Sequence, residues 1–186
     1  ERIKHNRKIK PKKILEDSEL GVRLALFHDG WDITFNYFYH YDDFPIFEQN
    51  GDYQNLNLLT RYKRNQLYGG SFTKAFKNIV LRSEYGYSTN KYFLSRDANG
   101  IVGFSETPEF KVAVAIDYNA DDELFVSGQL LLSDAIKSGL QLSRDELETS
   151  ATLLVRKTLF NNSLILENFL VHSLNNEDGI VRPRFI

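Results

Sequence analysis

From Ser18 onward the apolar residues of this chain recur at every second position, the period of a β-strand and not of a helix. Leu20, Val22, Leu24 and Leu26 alternate with Gly21, Arg23, Ala25 and Phe27. Asp29 and Gly30 follow, a pair suited to a two-residue hairpin turn because both tolerate positive φ. The phase then resumes as Trp31, Ile33, Phe35, Tyr37 and Tyr39. A turn at Asp29 and Gly30 sets Leu26 opposite Ile33, Leu24 opposite Phe35, Val22 opposite Tyr37 and Leu20 opposite Tyr39. One face of the pair is apolar, and on the other Arg23 meets Asn36.

The construction recurs three times. Phe110, Val112, Val114, Ile116 and Tyr118 lead through residues 119–123 into Leu124, Val126, Gly128, Leu130 and Leu132, with Ser127 and Gln129 on the second face. Ala151, Leu153 and Val155 turn at Asn161 and Asn162 to meet Leu166, Asn168 and Leu170, which places Arg156 opposite Glu167. The least regular hairpin joins residues 61–72 to 79–88, with Arg82 and Glu84 on one face and Leu81, Tyr85 and Tyr87 on the other. The expected architecture is all-β, an antiparallel up-and-down meander of about 8 strands, each roughly 8 to 12 residues long. Turns inside the hairpins are short: Asp29 and Gly30, 73–78, 119–123, and Asn161 with Asn162. Connections between hairpins are long and polar, at 42–55, 89–109 and 134–148. Ser143 followed by Glu146 is a weak capping box that predicts a short helical turn over 143–147. Gly69 and Gly70 predict a bend or bulge.

Both a soluble sandwich and a membrane barrel alternate, so the second face separates them. A sandwich turns a charged outer face to water. Here that face is mostly Gly, Ala, Ser, Thr, Asn and Gln with a few charges, which suits a hydrated barrel interior. The strand lengths match the roughly 9 to 11 residues that a tilted strand needs to cross a bilayer. Trp31, Tyr39, Tyr41, Phe72, Tyr87, Phe110 and Tyr118 fall near expected strand ends, where amphipathic rings meet headgroups. A mean hydropathy of −0.38 and the lack of a long apolar run exclude a helical span.

The segments GVRLALFHDGWDITFNYFYHYDDFP, YGGSFTKAFKNIVLRSEYGYSTNKYF and ENFLVHSLNNEDGIVRPRF resemble strand-loop units of the large porin-like outer-membrane β-barrels of Gram-negative bacteria. The resemblance covers residues 18–185 and implies a transmembrane β-barrel, or an arc of a larger one, in the bacterial outer membrane. The chain departs from a complete barrel protein in lacking a signal sequence and an aromatic-terminated closing strand, since GIVRPRFI at 179–186 reads as a strand just starting. With no Met at position 1, it reads as a piece of a longer polypeptide forming an arc.

The net charge of −2 is uneven. Residues 1–17 form a basic N-terminal loop or tail ahead of the β-segment at 18–186, with Arg2, Lys4, Arg7, Lys8, Lys10, Lys12 and Lys13 in its first part. No aromatic platform or recognition helix accompanies these charges, so nucleic acid is not an expected partner. Cysteine is absent, which excludes disulfides and thiolate metal sites. His172 and Ser173 are neighbours on a strand and point to opposite faces, so they do not make a nucleophile-base pair. Asp117, Asn119 and Asp121 open like a calcium loop, but Asp122 stands where Gly is required and Gly128 where a bidentate Glu is required. A solvated acidic turn is the expectation there. Asp42, Asp43, Glu177 and Asp178 are read as loop carboxylates, placed where divalent cations bridge them to lipopolysaccharide.

The sequence therefore predicts a porin-like channel for small polar solutes, with no enzymatic activity, cofactor or metal. Its pore would be lined by Arg23, Asn36, Arg82, Glu84, Lys111, Gln129, Arg156 and Glu167, as selectivity groups or as ion-pair ladders, with long loops folding into the lumen. Its expected partners are the lipid bilayer, lipopolysaccharide, small polar solutes and further copies of itself. The competing reading is a soluble β-sandwich or β-barrel binding module that uses its aromatic loops and buries Leu24, Phe35, Val114 and Leu130 under protein.

Overall fold

A computed structural model of the chain describes residues 4–5, 18–50, 57–96, 102–136 and 141–186. Its strands are β1 (Lys4–His5), β2 (Leu20–His28), β3 (Trp31–Tyr41), β4 (Ile46–Asn50), β5 (Asn57–Arg61), β6 (Arg64–Phe76), β7 (Ile79–Arg96), β8 (Val102–Asn119), β9 (Leu124–Ala135), β10 (Gln141–Leu142), β11 (Leu147–Leu159), β12 (Leu164–Ser173) and β13 (Asp178–Phe185). The main sheet runs β2-β3-β6-β7-β8-β9-β11-β12-β13, every neighbouring pair antiparallel. Among the described residues β2 and β13 are its open edges, and the sheet does not close. β1, β5 and β4 form a small separate sheet in which Lys4 and His5 pair in parallel with Asn57 and Leu58. The rest of the basic 1–17 segment lies outside the described residues.

The first hairpin has the register that its pattern demands, with Leu24 opposite Phe35 and Arg23 opposite Asn36. Asp29 and Gly30 both take positive φ, 47° and 72°, as a type I′ turn requires. Arg156 also stands opposite Glu167. Their turn, however, spans residues 160–163 rather than Asn161 and Asn162 alone, with Phe160, Asn161 and Asn162 all at positive φ. The loop expected over 73–78 shrinks to Lys77 and Asn78, because Thr73, Lys74 and Ala75 continue the ladder.

Two local expectations are corrected. The loop expected over 89–109 is largely strand: β7 and β8 are 18 residues each, far longer than 8 to 12. A register shift leaves Thr89 and Asn90 unmatched and breaks the alternation, and pairing resumes at Lys91 with Thr107, which hides the continuation from a period-two reading. No helical turn forms over 143–147; Gln141 and Leu142 instead pair with Arg96 and Ser95 of β7. Residues 178–185 form β13, so among the described residues the main sheet is an antiparallel meander of nine strands, in keeping with the about 8 expected. Ile186 still exchanges both backbone hydrogen bonds with Ile165, at 2.8 and 3.0 Å.

Burial divides the two faces against the usual rule. On the apolar face Leu24 is 66% exposed, Phe35 53%, Val114 40% and Leu130 42%, and no second layer covers them among the described residues. On the polar face Thr34 is 4% exposed and Asp117 8%, so the sheet curls toward its polar side. Around the apolar face, below the β7 register shift, the acidic and basic residues of the nine strands are Lys74, Lys157 and Asp134, all close to strand ends. Lys74 donates to the Asp29 carbonyl at 3.0 Å and Lys157 to Glu123 at 2.9 Å, so both amines lie at the short-turn rim while their stems cover apolar surface.

Gly69 and Gly70 make no bulge; both stay in register with Asn36 and Phe35. Gly70 instead gives room to the Tyr85 ring. A Cβ there would stand 2.6 Å from the Tyr85 hydroxyl and 2.5 Å from the Thr34 carbonyl oxygen. Gly70→Ala is therefore expected to cost about 1–3 kcal/mol by overpacking. The measurement is a denaturant titration of the folded protein; an unchanged midpoint would contradict this reading of the contact.

Candidate solute pathway on the concave face

Strand pairing carries the sequence-predicted residues into rows. Arg23, Asn36, Gly69, Gly86, Lys111, Ser133 and Glu148 lie in one row across seven strands. Arg82, Ala115 and Gln129 form a second, and Glu84, Ala113, Leu131 and Ser150 a third. All eight predicted lining residues therefore share the polar face. They do not converge on one point: Arg156 and Glu167 sit near the short-turn rim, while Arg23 and Asn36 lie towards the opposite end of the first hairpin. Between the rows, Glu84, Lys111, Ala113, Leu131, Ser133 and Glu148 line a depression of about 550 Å³.

The charges are mostly paired. Arg82 makes a two-pronged contact with Asp117, at 2.8 and 2.9 Å, and Ser127 donates to the same carboxylate at 2.6 Å. Its ion partner is thus Asp117. Arg156 donates to Glu167 at 2.9 and 2.7 Å, and Arg184 reaches the other Glu167 oxygen at 3.9 Å. Charges of opposite sign thus alternate across β11, β12 and β13.

Asp117, Glu109 and Ser133 are legible in principle, because each shares parity with a residue that the alternation assigns to this face. The calcium-loop comparison instead draws Asp117 into a loop. It lies in β8, held by Arg82, and only Asp121 of that trio serves the turn. The Asp121 carboxylate accepts from the backbone N–H groups of Glu123 at 2.8 Å and Leu124 at 2.7 Å, which holds its pKa below the ordinary carboxylate value. A depressed folded pKa means that the contribution of this turn is complete above the unfolded pKa and disappears as pH falls through the folded one. Acidification is expected to move the Glu123 and Leu124 amide resonances together in that acidic window, and Asp121→Ala to remove the shift. An identical titration in the variant would exclude the Asp121 carboxylate as the cause.

At the opposite rim a strap crosses the concave face. β10 pairs with β7 on the side away from β8, and residues 143–146 return from it: the Ser143 N–H donates to the Leu94 carbonyl of β7 at 2.8 Å and the Ala135 N–H of β9 to the Glu146 carbonyl at 2.8 Å, so this segment passes over β8. Arg144 fastens it. The guanidinium reaches Glu109 at 3.3 Å, the Ser133 hydroxyl at 3.1 Å, the Ser133 carbonyl at 2.8 Å and Glu148 at 3.2 Å, and lies over the Phe93 ring at 5.1 Å. Glu109 also accepts from Ser133 at 3.0 Å and pairs with Lys111 at 3.1 Å. Nothing in the period-two pattern marks Arg144, which comes from a segment with no alternation. Asp42, expected as a loop carboxylate, is buried and pairs with Lys91 at 2.7 Å. His172 and Ser173 do face opposite sides, His172 opposite Ala151 and Gly179, while Ser173 accepts from the Asn176 backbone at 3.4 Å.

Aromatic rings form rows on the convex face. Tyr37, Tyr68, Tyr87 and Phe110 pair directly across β3, β6, β7 and β8, with the Tyr37 and Tyr68 rings 5.1 Å apart. Tyr87 and Phe110 are therefore mid-strand residues, not strand ends. A second group at the short-turn rim includes Trp31, 6.5 Å from Phe76, with Lys74 lying 4.9 Å over the indole. Tyr118 stands at the same rim. The chain matches no family model, no curated protein and no solved structure.

Proposed function

We propose that this chain is wall of a porin-like outer-membrane β-barrel that passes small polar solutes along its concave face. The observation that carries this reading is the uncovered apolar surface spread over the sheet, because a soluble protein rarely exposes so continuous an apolar patch. Acyl chains would solvate it, and antiparallel pairing leaves the backbone groups of the inner strands satisfied in hydrocarbon. The span from Tyr68 to Phe76, between the two aromatic levels, is the length that a tilted strand needs, about 9 to 11 residues. Short turns lie at one rim, and the longer connections lie at the other along with the tight turn after β12, an asymmetry of the kind outer-membrane barrels show between periplasm and exterior. The paired charges inside then set a polar, nearly balanced lining rather than a strongly cationic or anionic one.

The test is extraction and reconstitution. The protein should leave membranes only with detergent, migrate differently on gels before and after boiling, and give discrete conductance steps in a planar bilayer. A monomer that is soluble without detergent and melts cooperatively would overturn the proposal.

A further inference from the structure

Three arginines and one glutamate meet on the polar face of β11, β12 and β13. Arg156, Glu167 and Arg184 lie in one row across these strands, and Leu154, Phe169 and Arg182 lie in the next row on the same face. The six side chains line a depression of about 160 Å³. Arg156 donates to one Glu167 oxygen at 2.7 and 2.9 Å, and Arg184 stands 3.9 Å from the other. Arg182 has no carboxylate within ion-pair distance among the described residues. Three cations therefore face one anion, an excess of two positive charges. Elsewhere on this face Arg82 is balanced by Asp117, and Arg144 with Lys111 by Glu109 with Glu148. The Asp121, Asp122 and Glu123 carboxylates line a separate depression.

We infer that this depression binds a small organic carboxylate with an apolar body, the carboxylate on Arg182 and Arg184 and the body on Phe169 and Leu154. The inference goes beyond the channel reading and needs only three neighbouring strands. Arg182 and Arg184 are two residues apart on one face of β13, so their like charges repel. An anion between them replaces that repulsion with two charge-assisted contacts, and the planar guanidinium fork matches both oxygens of a carboxylate. The other row selects the rest of the ligand. Phe169 is directly opposite both Arg182 and Leu154, so hydrocarbon lies beside the free guanidinium. Phosphate would leave that hydrocarbon wet, whereas an apolar body covers it. The depression is smaller than the roughly 300–1,000 Å³ that drug-sized ligands occupy, which limits the body to a single ring or a short branched chain. Arg156 and Arg184 are about half-exposed, so binding is weak, in the millimolar range, and falls as salt rises. Glu167 is the internal competitor, because it already holds Arg156 and draws on Arg184.

Titration of the folded chain with benzoate tests this, read by calorimetry and from the Nε–H resonances of Arg182 and Arg184. Saturable binding is expected, weakened about tenfold in Arg182→Gln by loss of the charged hydrogen bonds. Glu167→Gln should tighten it several-fold, a result that a merely structural role for these arginines does not produce. Benzyl alcohol, the same ring without the charge, should not saturate the site, and inorganic phosphate should bind more weakly than benzoate. Undiminished affinity in Arg182→Gln, equal saturation by benzyl alcohol, tighter binding of phosphate, or no saturation by benzoate would each overturn the inference. Arg184→Gln repeats the test at a second position, and the thermal midpoint of each variant shows that it has folded. Detergent-free solubility would remove the barrel reading without touching this one, and failure to bind benzoate would remove this one alone.

Discussion

If the apolar face meets lipid, as proposed, Val114→Arg is expected to destabilise the protein in a bilayer by about 2–4 kcal/mol, the cost of a charge on a lipid face near mid-depth. Ala113→Arg, one residue away, should change stability by less than about 1 kcal/mol. Nothing about hydrophobicity scales or strand propensity separates the two positions; only the side of the sheet does. Val114 pairs with Ser83 and Leu130 on the uncovered face, whereas Ala113 pairs with Glu84 on the polar face, where a new guanidinium meets water and a carboxylate. Reversible denaturation in lipid vesicles measures both. Equal costs at the two sites would mean that the face containing Val114 is not the one in hydrocarbon, and the transport reading would fall with it.

The second large effect concerns the strap. The Glu109 side chain is 4% exposed and Arg144 16%, so their contact is far less screened than that of Arg156 with Glu167, where the arginine is 46% exposed. Breaking a buried pair costs roughly 3–5 kcal/mol, and the second cation on Glu109, Lys111, places Arg144→Ala at the lower end of that range. Glu109→Ala is expected to free the strap, so that trypsin cuts after Arg144 in the folded protein and single-channel conductance rises. A double-mutant cycle separates the direct contact from the Lys111 and Ser133 contributions. An additive cycle with unchanged conductance would show that Arg144 does not fasten the strap over the path.

Parity is what made much of this molecule readable. A two-residue turn at Asp29 and Gly30 leaves one register open to the flanking strands, and a one-residue slip would have moved Leu24 and Phe35 to the polar side. The same logic placed Arg23, Lys111 and Arg156 on one face without coordinates. It failed where the period is interrupted. The register shift after Ser88 exchanges the faces of Lys91 and Ser95, so residues 91–96 look like loop although they pair with β8. Arg144 and Asp42 escaped for a different reason: each is held by a charge from a segment far away in sequence, and no local pattern encodes which charge finds which.

By itself, then, the order of amino acids determined the strand class, the sidedness and most of the pairing, because side-chain direction in a strand depends only on whether a position is odd or even. Tertiary structure decided the number of strands, the direction of the curl, the strap across the concave face and the partner of each buried charge. Those depend on distances between segments that the chain must first bring together, and a β-ladder accepts polar residues as readily as apolar ones once its backbone hydrogen bonds are satisfied.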